Sequence, residues 1–410
     1  MATTVADARP GVVHRPKGGF DWPRALAWLA GLVGTGMYTL QYVSRPPLLL
    51  DEVRLSLDIA GTSWIGLTRP LGYDQSAPLL FLWAEKLATL IGGVNEYSLR
   101  LLPFLASIAV LPLLWLVGRR VMGPPGAAVA VGIAAVSPLL LQYCRQVKPY
   151  SLDAVVGLAL VWWALDWLDA PSDPRAARRL TLAGVVAVWL STPAIFVLAG
   201  VLLTLAAVPG PQRPPRSALG VAAAAVLLSF AAAYLWIYRP AEMDPYIQRF
   251  WEGSLLAFWR PGLLARAWQG SRELVWQTFV GGATEPGAPG TLQVAVDLGS
   301  GPFLFLLAFG ASRLGRWAGA TRAALLYAPV GVAVAASLLG KYPLAARTML
   351  FAVPLLALLA AAGGLDLIRS FRPPWRPAVA GLAGLCLFGS PLLLDSWVAR
   401  HRVLENMPEA

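Results

Sequence analysis

The sequence predicts an all-α, polytopic membrane protein of about eleven transmembrane helices, with an amphipathic surface helix in its first outer loop. Three observations carry that reading. Of the 410 residues, 57% are hydrophobic and only 13% charged, more apolar surface than a soluble fold of this length can place inside. Runs such as 25–43, 99–117 and 351–365 approach the ~20 apolar residues that cross ~30 Å of hydrocarbon as a helix. Basic residues gather in loops whose alternation with these runs assigns one side to the cytoplasm.

Spans are expected at 24–44, 98–118, 124–142, 150–168, 180–192, 193–208, 217–238, 292–312, 322–340, 346–367 and 377–395. The first is flanked by Arg15, Lys17 and Arg24, and no small-residue cleavage pattern precedes Arg45, so it reads as a retained span. Residues 180–208 form either one long tilted helix or two short ones broken at Ser191-Thr192-Pro193. Loop charge decides. With a break, the N-terminus, Arg119-Arg120, Arg175 to Arg179, Arg213 with Arg216, Arg313 to Arg322, and Arg369 to Arg376 share one side, the cytoplasmic one. Without it, every later basic loop alternates wrongly. Pro193 supports the break, because it removes a backbone donor and clashes with the preceding turn. The N-terminus is then inside and the C-terminus outside.

Three regions follow: 1–238 with the first outer loop at 45–97, a Trp/Arg-rich outer loop at 239–291, and C-terminal spans at 292–410. In the first loop, 76–91 has apolar spacing and a Glu85-Lys86 pair suited to a helix on the membrane surface. The second mixes Trp251, Trp259, Trp268 and Trp276 with Arg249, Arg260, Arg266 and Arg272, either an interfacial aromatic belt with snorkelling cations or a groove for a lipid headgroup or glycan. The net charge of +11 is spread over many loops rather than gathered in one patch, so no nucleic-acid partner is expected and membrane lipid is. Cys144 and Cys386 make neither a metal spacing nor a disulfide framework, and His14 and His401 lie near opposite termini, which excludes a histidine-based triad or metal site.

The charges that break the pattern are the informative ones. Asp51-Glu52 follows the first span and the Pro46-Pro47 turn, which keeps both carboxylates near the outer surface. Such a pair is either a solvated turn or a general base that takes the proton from an attacking hydroxyl. The outer turn 142–153 carries Arg145 and Lys148, and Lys341-Tyr342-Pro343 is followed by Arg347, where outer loops should be poor in cations. Cations near the hydrocarbon boundary need an anion. Snorkelling answers that need, as does pairing of Lys148 with Asp153 or the first-loop carboxylates. A lipid phosphate is the other answer, gripped by arginine through two hydrogen bonds and by lysine as a point charge. Span middles lack ionisable residues, which argues against a proton- or ion-coupled transporter.

At this point the chain resembles the GT-C superfamily of membrane glycosyltransferases, in the branch related to dolichyl-phosphate-mannose protein mannosyltransferases and bacterial aminoarabinose transferases. Three stretches carry the likeness: Asp51-Glu52 followed by 70–78 and 96–101; Tyr143 to Asp153, with Gln146 where the family pattern has glutamate; and Lys341 to Pro354. The resemblance covers most of 24–240 and the block 338–366. It implies transfer of a hexosyl or pentosyl group from a polyprenyl-phosphate donor to a glycan, lipid or protein acceptor, with inversion, outside the inner membrane. It implies Asp51 as the base with Glu52 as its partner, and Arg347 holding the departing phosphate with Lys148 or Lys341. Tyr150, Tyr342 and Gln75 would orient the sugar through hydrogen bonds. No metal ligand is assigned, and a divalent cation between Asp51 and Glu52 is left open. The alternative is a lipid-linked sugar flippase or transporter, which shares the basic rim but needs no single carboxylate.

Overall fold

A computed structural model describes residues 21–210, 213–281 and 290–384, with side chains of 290–298 left aside. His14, His401, Cys386 and the second half of the span expected at 377–395 lie outside the described residues. Among them the chain is helical throughout, without strands. An apolar solvent leaves no other way to satisfy backbone polar groups in an open chain.

Helix α1 (Trp22–Val43) leads into the first loop, which holds α2 (Leu50–Gly61) and α3 (Leu79–Gly92). Then come α4 (Glu96–Val121), α5 (Gly123–Ala135), α6 (Pro138–Tyr143), α7 (Tyr150–Asp169), α8 (Pro174–Leu190), α9 (Ala194–Ala206) and α10 (Arg216–Ala233). The last of these continues through a π-helical turn at Tyr234–Tyr238 into α11 (Arg239–Glu242). The second loop holds α12 (Pro245–Trp251) and α13 (Leu263–Phe279), and α14 (Gly290–Ala318), α15 (Ala320–Leu338), α16 (Val353–Ser370) and α17 (Arg376–Gly384) follow. Among the described residues, five segments are long and apolar enough to cross a membrane, judged by length and composition: Glu96–Val121, Tyr150–Asp169, Arg216–Glu242, Ala320–Leu338 and Leu350–Ser370.

The break at Ser191-Thr192-Pro193 is real: α8 ends at Leu190 and α9 starts at Ala194. A second break, not expected, divides 124–142 at Ser137-Pro138, where the proline starts α6. The start of α4 is fixed by Asn95, whose side chain accepts from the Tyr97 and Ser98 N–H groups at 3.0 and 3.1 Å. Helix α3 occupies the expected surface-helix segment, but Glu85 and Lys86 are buried rather than directed to solvent. Lys86 Nζ donates to the Ile59 carbonyl at 2.9 Å, satisfying the C-terminal end of α2, so this helix is pinned to the loop by its charged face.

The core lies where α4 packs on α5 and α7, α5 on α1 and α16, α9 on α15, and α14 on α16. Leu114, Val117, Leu158, Val161, Leu198 and Leu358 are fully buried there. In a bilayer the drive for such packing is close van der Waals contact, which small residues permit. Gly310 on α14 and Gly363 on α16 face each other so closely that a Cβ on either would overlap the opposite backbone, at the Leu359 and Leu306 carbonyls respectively. Gly363→Leu is therefore expected to lower stability by ~3 kcal/mol or more, the upper range for overpacking. Thermal unfolding of the detergent-solubilised variant checks this, and an unchanged midpoint would mean the helices are not held this tightly.

Charges expected on the cytoplasmic side meet one another. Arg120 bonds Asp166 at 2.6 Å and Asp169 at 2.7 Å, Arg322 reaches Asp169 at 2.7 Å, and Arg313 lies 3.4 Å from Asp366.

Candidate active site

Helix α2 starts at Leu50, so Asp51 and Glu52 occupy its first turn, where the helix dipole favours carboxylates. Consecutive residues on a helix point apart, and these two do. Glu52 is buried: its Oε2 accepts from the Leu49 N–H and its Oε1 from the Val147 N–H, both at 2.9 Å. Arg100 of α4, also buried, places Nη2 3.7 Å from that same Oε1. Glu52 thus ties α2, the turn before α7 and α4 together. It does not stand free beside Asp51.

Asp51 faces the opposite way, with its side chain 40% exposed. Its Oδ2 lies 3.3 Å from Lys148 Nζ and 3.8 Å from Arg347 Nη1. Lys148 also donates to the Asp51 backbone carbonyl at 3.1 Å and to Gln75 Oε1 at 3.0 Å. The Gln75 amide in turn donates to the Tyr73 carbonyl at 3.2 Å. Tyr73 and Asp74 both have φ of 56°, a left-handed conformation that non-glycine residues adopt at a cost, and such strain gathers at functional sites. Arg347 is held from the other side by two aromatic faces, Trp251 at 4.5 Å and Phe250 at 4.9 Å. Two cations against one carboxylate leave a positive charge over, which suits an incoming anion.

Lys148 also lines a cavity of about 640 Å³, within the usual range for ligand sites. Tyr150 and Asp153 line it too, together with Trp251, Lys341 and Tyr342. The expected residues therefore fall into two groups. Asp51, Lys148, Arg347 and Gln75 are in mutual contact. Lys341 and Tyr342 belong to another part of the wall: Lys341 is exposed and paired with Glu242 at 2.8 Å, which raises its pKa, and the Tyr342 hydroxyl is committed to the Thr348 carbonyl at 2.6 Å. Tyr150 packs edge-on against Tyr143 at 5.2 Å.

Of the four tryptophans marked in the second loop, Trp251 joins the cavity, Trp276 is buried in the core, and Trp259 and Trp268 are exposed. The sequence reading missed Asp153 as cavity wall, having treated it only as a partner for Lys148. Its position just inside the start of α7 was the available signal. A cation bridging Asp51 and Glu52 finds poor donors here, since both Glu52 oxygens accept backbone N–H bonds and Asp51 faces two positive groups. Among the described residues no cluster of three metal-ligating side chains occurs.

A family model described as dolichyl-phosphate-mannose-protein mannosyltransferase matches residues 76–237. The archaeal oligosaccharyltransferase AglB from Archaeoglobus fulgidus, solved with an inhibitory peptide and a dolichol-phosphate, aligns over 91% of this chain at TM-score 0.55 and 15% identity. ArnT from Cupriavidus metallidurans in its apo state aligns over 87% at TM-score 0.51 and 15% identity. The chain has the GT-C fold. The chain covers 55% of that AglB chain and 61% of that ArnT chain, under two thirds of either. At these identities the likeness speaks for the fold, an all-helical membrane protein. No curated protein matches the sequence.

Proposed function

We propose that this GT-C protein is a glycosyltransferase that moves a sugar from a polyprenyl-phosphate donor to an acceptor hydroxyl outside the cytoplasmic membrane. The observation that carries the reading is the Asp51–Lys148–Arg347 cluster, one carboxylate against two cations beside a sugar-sized cavity. The dolichyl-phosphate-mannose family match and the dolichol-phosphate bound to AglB support a lipid-phosphate donor.

The chemistry is a single displacement. The acceptor hydroxyl gives its proton to Asp51 as its oxygen bonds to the anomeric carbon. The bond from that carbon to the phosphate oxygen breaks, and the polyprenyl phosphate leaves with both electrons. Arg347 and Lys148 neutralise the charge that develops on it. Attack opposite the leaving group inverts the anomeric centre. Gln75 positions Lys148, and Glu52 positions the start of α2 and with it Asp51.

Incubating the purified protein in lipid with labelled polyprenyl-phosphate sugars, and following release of polyprenyl monophosphate, tests the reading. Absence of release across hexosyl and pentosyl donors and hydroxyl acceptors would sink it.

A pH signature accompanies it. Burial holds the Lys148 pKa below the ordinary lysine value, with Asp51 opposing that shift and Arg347 adding to it. The phosphate-binding ammonium is therefore lost as pH rises through this lowered value, earlier than for a free lysine. An alkaline fall in kcat/KM is expected, and Lys148→Arg should move it to higher pH because guanidinium does not titrate there. An identical alkaline limb in that variant would take Lys148 out of the phosphate site.

A further inference from the structure

Asp153 is the buried carboxyl in the cavity wall that the proposed chemistry leaves unused. It is 3% exposed, in the first turn of α7, and its Oδ1 has no hydrogen-bond partner. A buried carboxyl oxygen is normally satisfied, so an orphan at a cavity wall calls for a ligand. The Ser191 hydroxyl lies beside the carboxyl, and its oxygen, like Oδ1, has no hydrogen-bond partner, so the pair leaves Oδ1 open. Pro149 at the N-cap has no N–H to donate to the carboxyl. Lys148, the nearest cation in sequence, is engaged by Asp51 and Gln75 instead. Of the phenols that share the cavity, Tyr238 is committed to the Val188 carbonyl at 2.9 Å and Tyr342 to the Thr348 carbonyl at 2.6 Å.

Resting on the donor reading above, we infer that Asp153 recognises the transferred sugar, its Oδ1 accepting a hydrogen bond from a ring hydroxyl. Asp153 and Lys148 line one cavity from a single short stretch of chain. A sugar attached to a phosphate at Lys148 has its hydroxyls one ring away from that phosphate, on the scale of the cavity. Tyr150 and Tyr342 line the same wall, and aromatic side chains suit the apolar face of a sugar ring. Asp153 is a specificity-determining residue in this scheme: it reads the glycosyl group while Lys148 and Arg347 read the phosphate.

The test separates the two halves of the ligand. Binding of polyprenyl monophosphate, and of polyprenyl-phosphate glucose, mannose, galactose and arabinose, is measured to wild type and to the near-isosteric Asp153→Asn in nanodiscs. Size exclusion and thermal unfolding confirm that the variant is folded. The variant is expected to bind the best of these sugar-bearing lipids about ten-fold or more weakly, the cost of replacing one buried acceptor oxygen by an N–H donor, and polyprenyl monophosphate within about two-fold of wild type. Deleting the contacted hydroxyl from that sugar should weaken wild type by a similar factor and leave the variant unaffected, a coupling that a merely structural role would not produce. Equal effects on sugar-bearing and sugar-free lipid, or no effect on either, overturn the assignment of Asp153. Failure of wild type to bind any of these lipids overturns the donor reading itself, and the role of Asp153 with it. Should Asp153→Asn not fold, Asp153→Glu is put through the same comparison, with a changed ranking of the four sugars expected and an unchanged ranking overturning the inference.

Discussion

Asp51→Asn is expected to lower turnover by about 10²–10⁴-fold while leaving the affinity for polyprenyl monophosphate within a few-fold of wild type. The substitution keeps the shape and the α2 start but removes the group that takes the acceptor proton in the proposed mechanism. It also removes the negative charge opposite Lys148 and Arg347, whose contacts with Asp51 Oδ2 are 3.3 and 3.8 Å, so the phosphate site becomes more positive. Catalysis and phosphate binding should thus move in opposite directions or independently. A base reading requires that split. Full transfer by a folded Asp51→Asn protein would eliminate Asp51 as the base, and a matching loss of phosphate affinity would make it a structural residue.

Glu52→Ala is expected to cost ~3–5 kcal/mol of stability, the range for removing one partner of a buried ion pair. Three things are lost at once: the acceptor for the Leu49 N–H, the acceptor for the Val147 N–H, and the counter-charge 3.7 Å from buried Arg100. The Nε and both terminal nitrogens of Arg100 have no hydrogen-bond partner, so the guanidinium depends on Glu52 for compensation. Unfolding midpoints of Glu52→Ala, Arg100→Leu and the double variant provide the check. The double variant should be more stable than Glu52→Ala alone, since it no longer buries an unpaired cation; strict additivity would show that the two do not interact.

These neighbouring acids illustrate what a linear sequence discloses. Asp51, Lys148 and Arg347 stood out before any fold was known because cations outside the membrane violate a charge rule and carboxylates there could answer them. The rule concerns side, and side is written in the alternation of apolar runs. The division at Pro193 was legible for the same reason, together with the proline's missing donor. Glu52 was not separable from Asp51, because which of two adjacent acids turns inward depends on the Val147 N–H and Arg100, groups brought in by tertiary structure. Likewise, amphipathic spacing identified α3 but not which way Glu85 and Lys86 would turn; the open carbonyl at Ile59 decided that. Lys341 and Arg347 both read in sequence as outer-side cations near one turn. They diverge because Glu242, from another loop, takes the first, while the Trp251 and Phe250 faces direct the second toward Asp51. Contacts between loops leave no period to read.

The resting pairing of Asp51 with the two cations has a kinetic consequence. A carboxylate held between two cations is not free to meet an acceptor hydroxyl, and in the proposed mechanism an arriving phosphate must compete for those same partners. Donor entry would then release Asp51 just as the electrophile is in position, so acceptor addition would come second. Water entering an unloaded protein would meet no freed base, which ties activation of the nucleophile to occupancy by the lipid-linked sugar and limits wasteful hydrolysis.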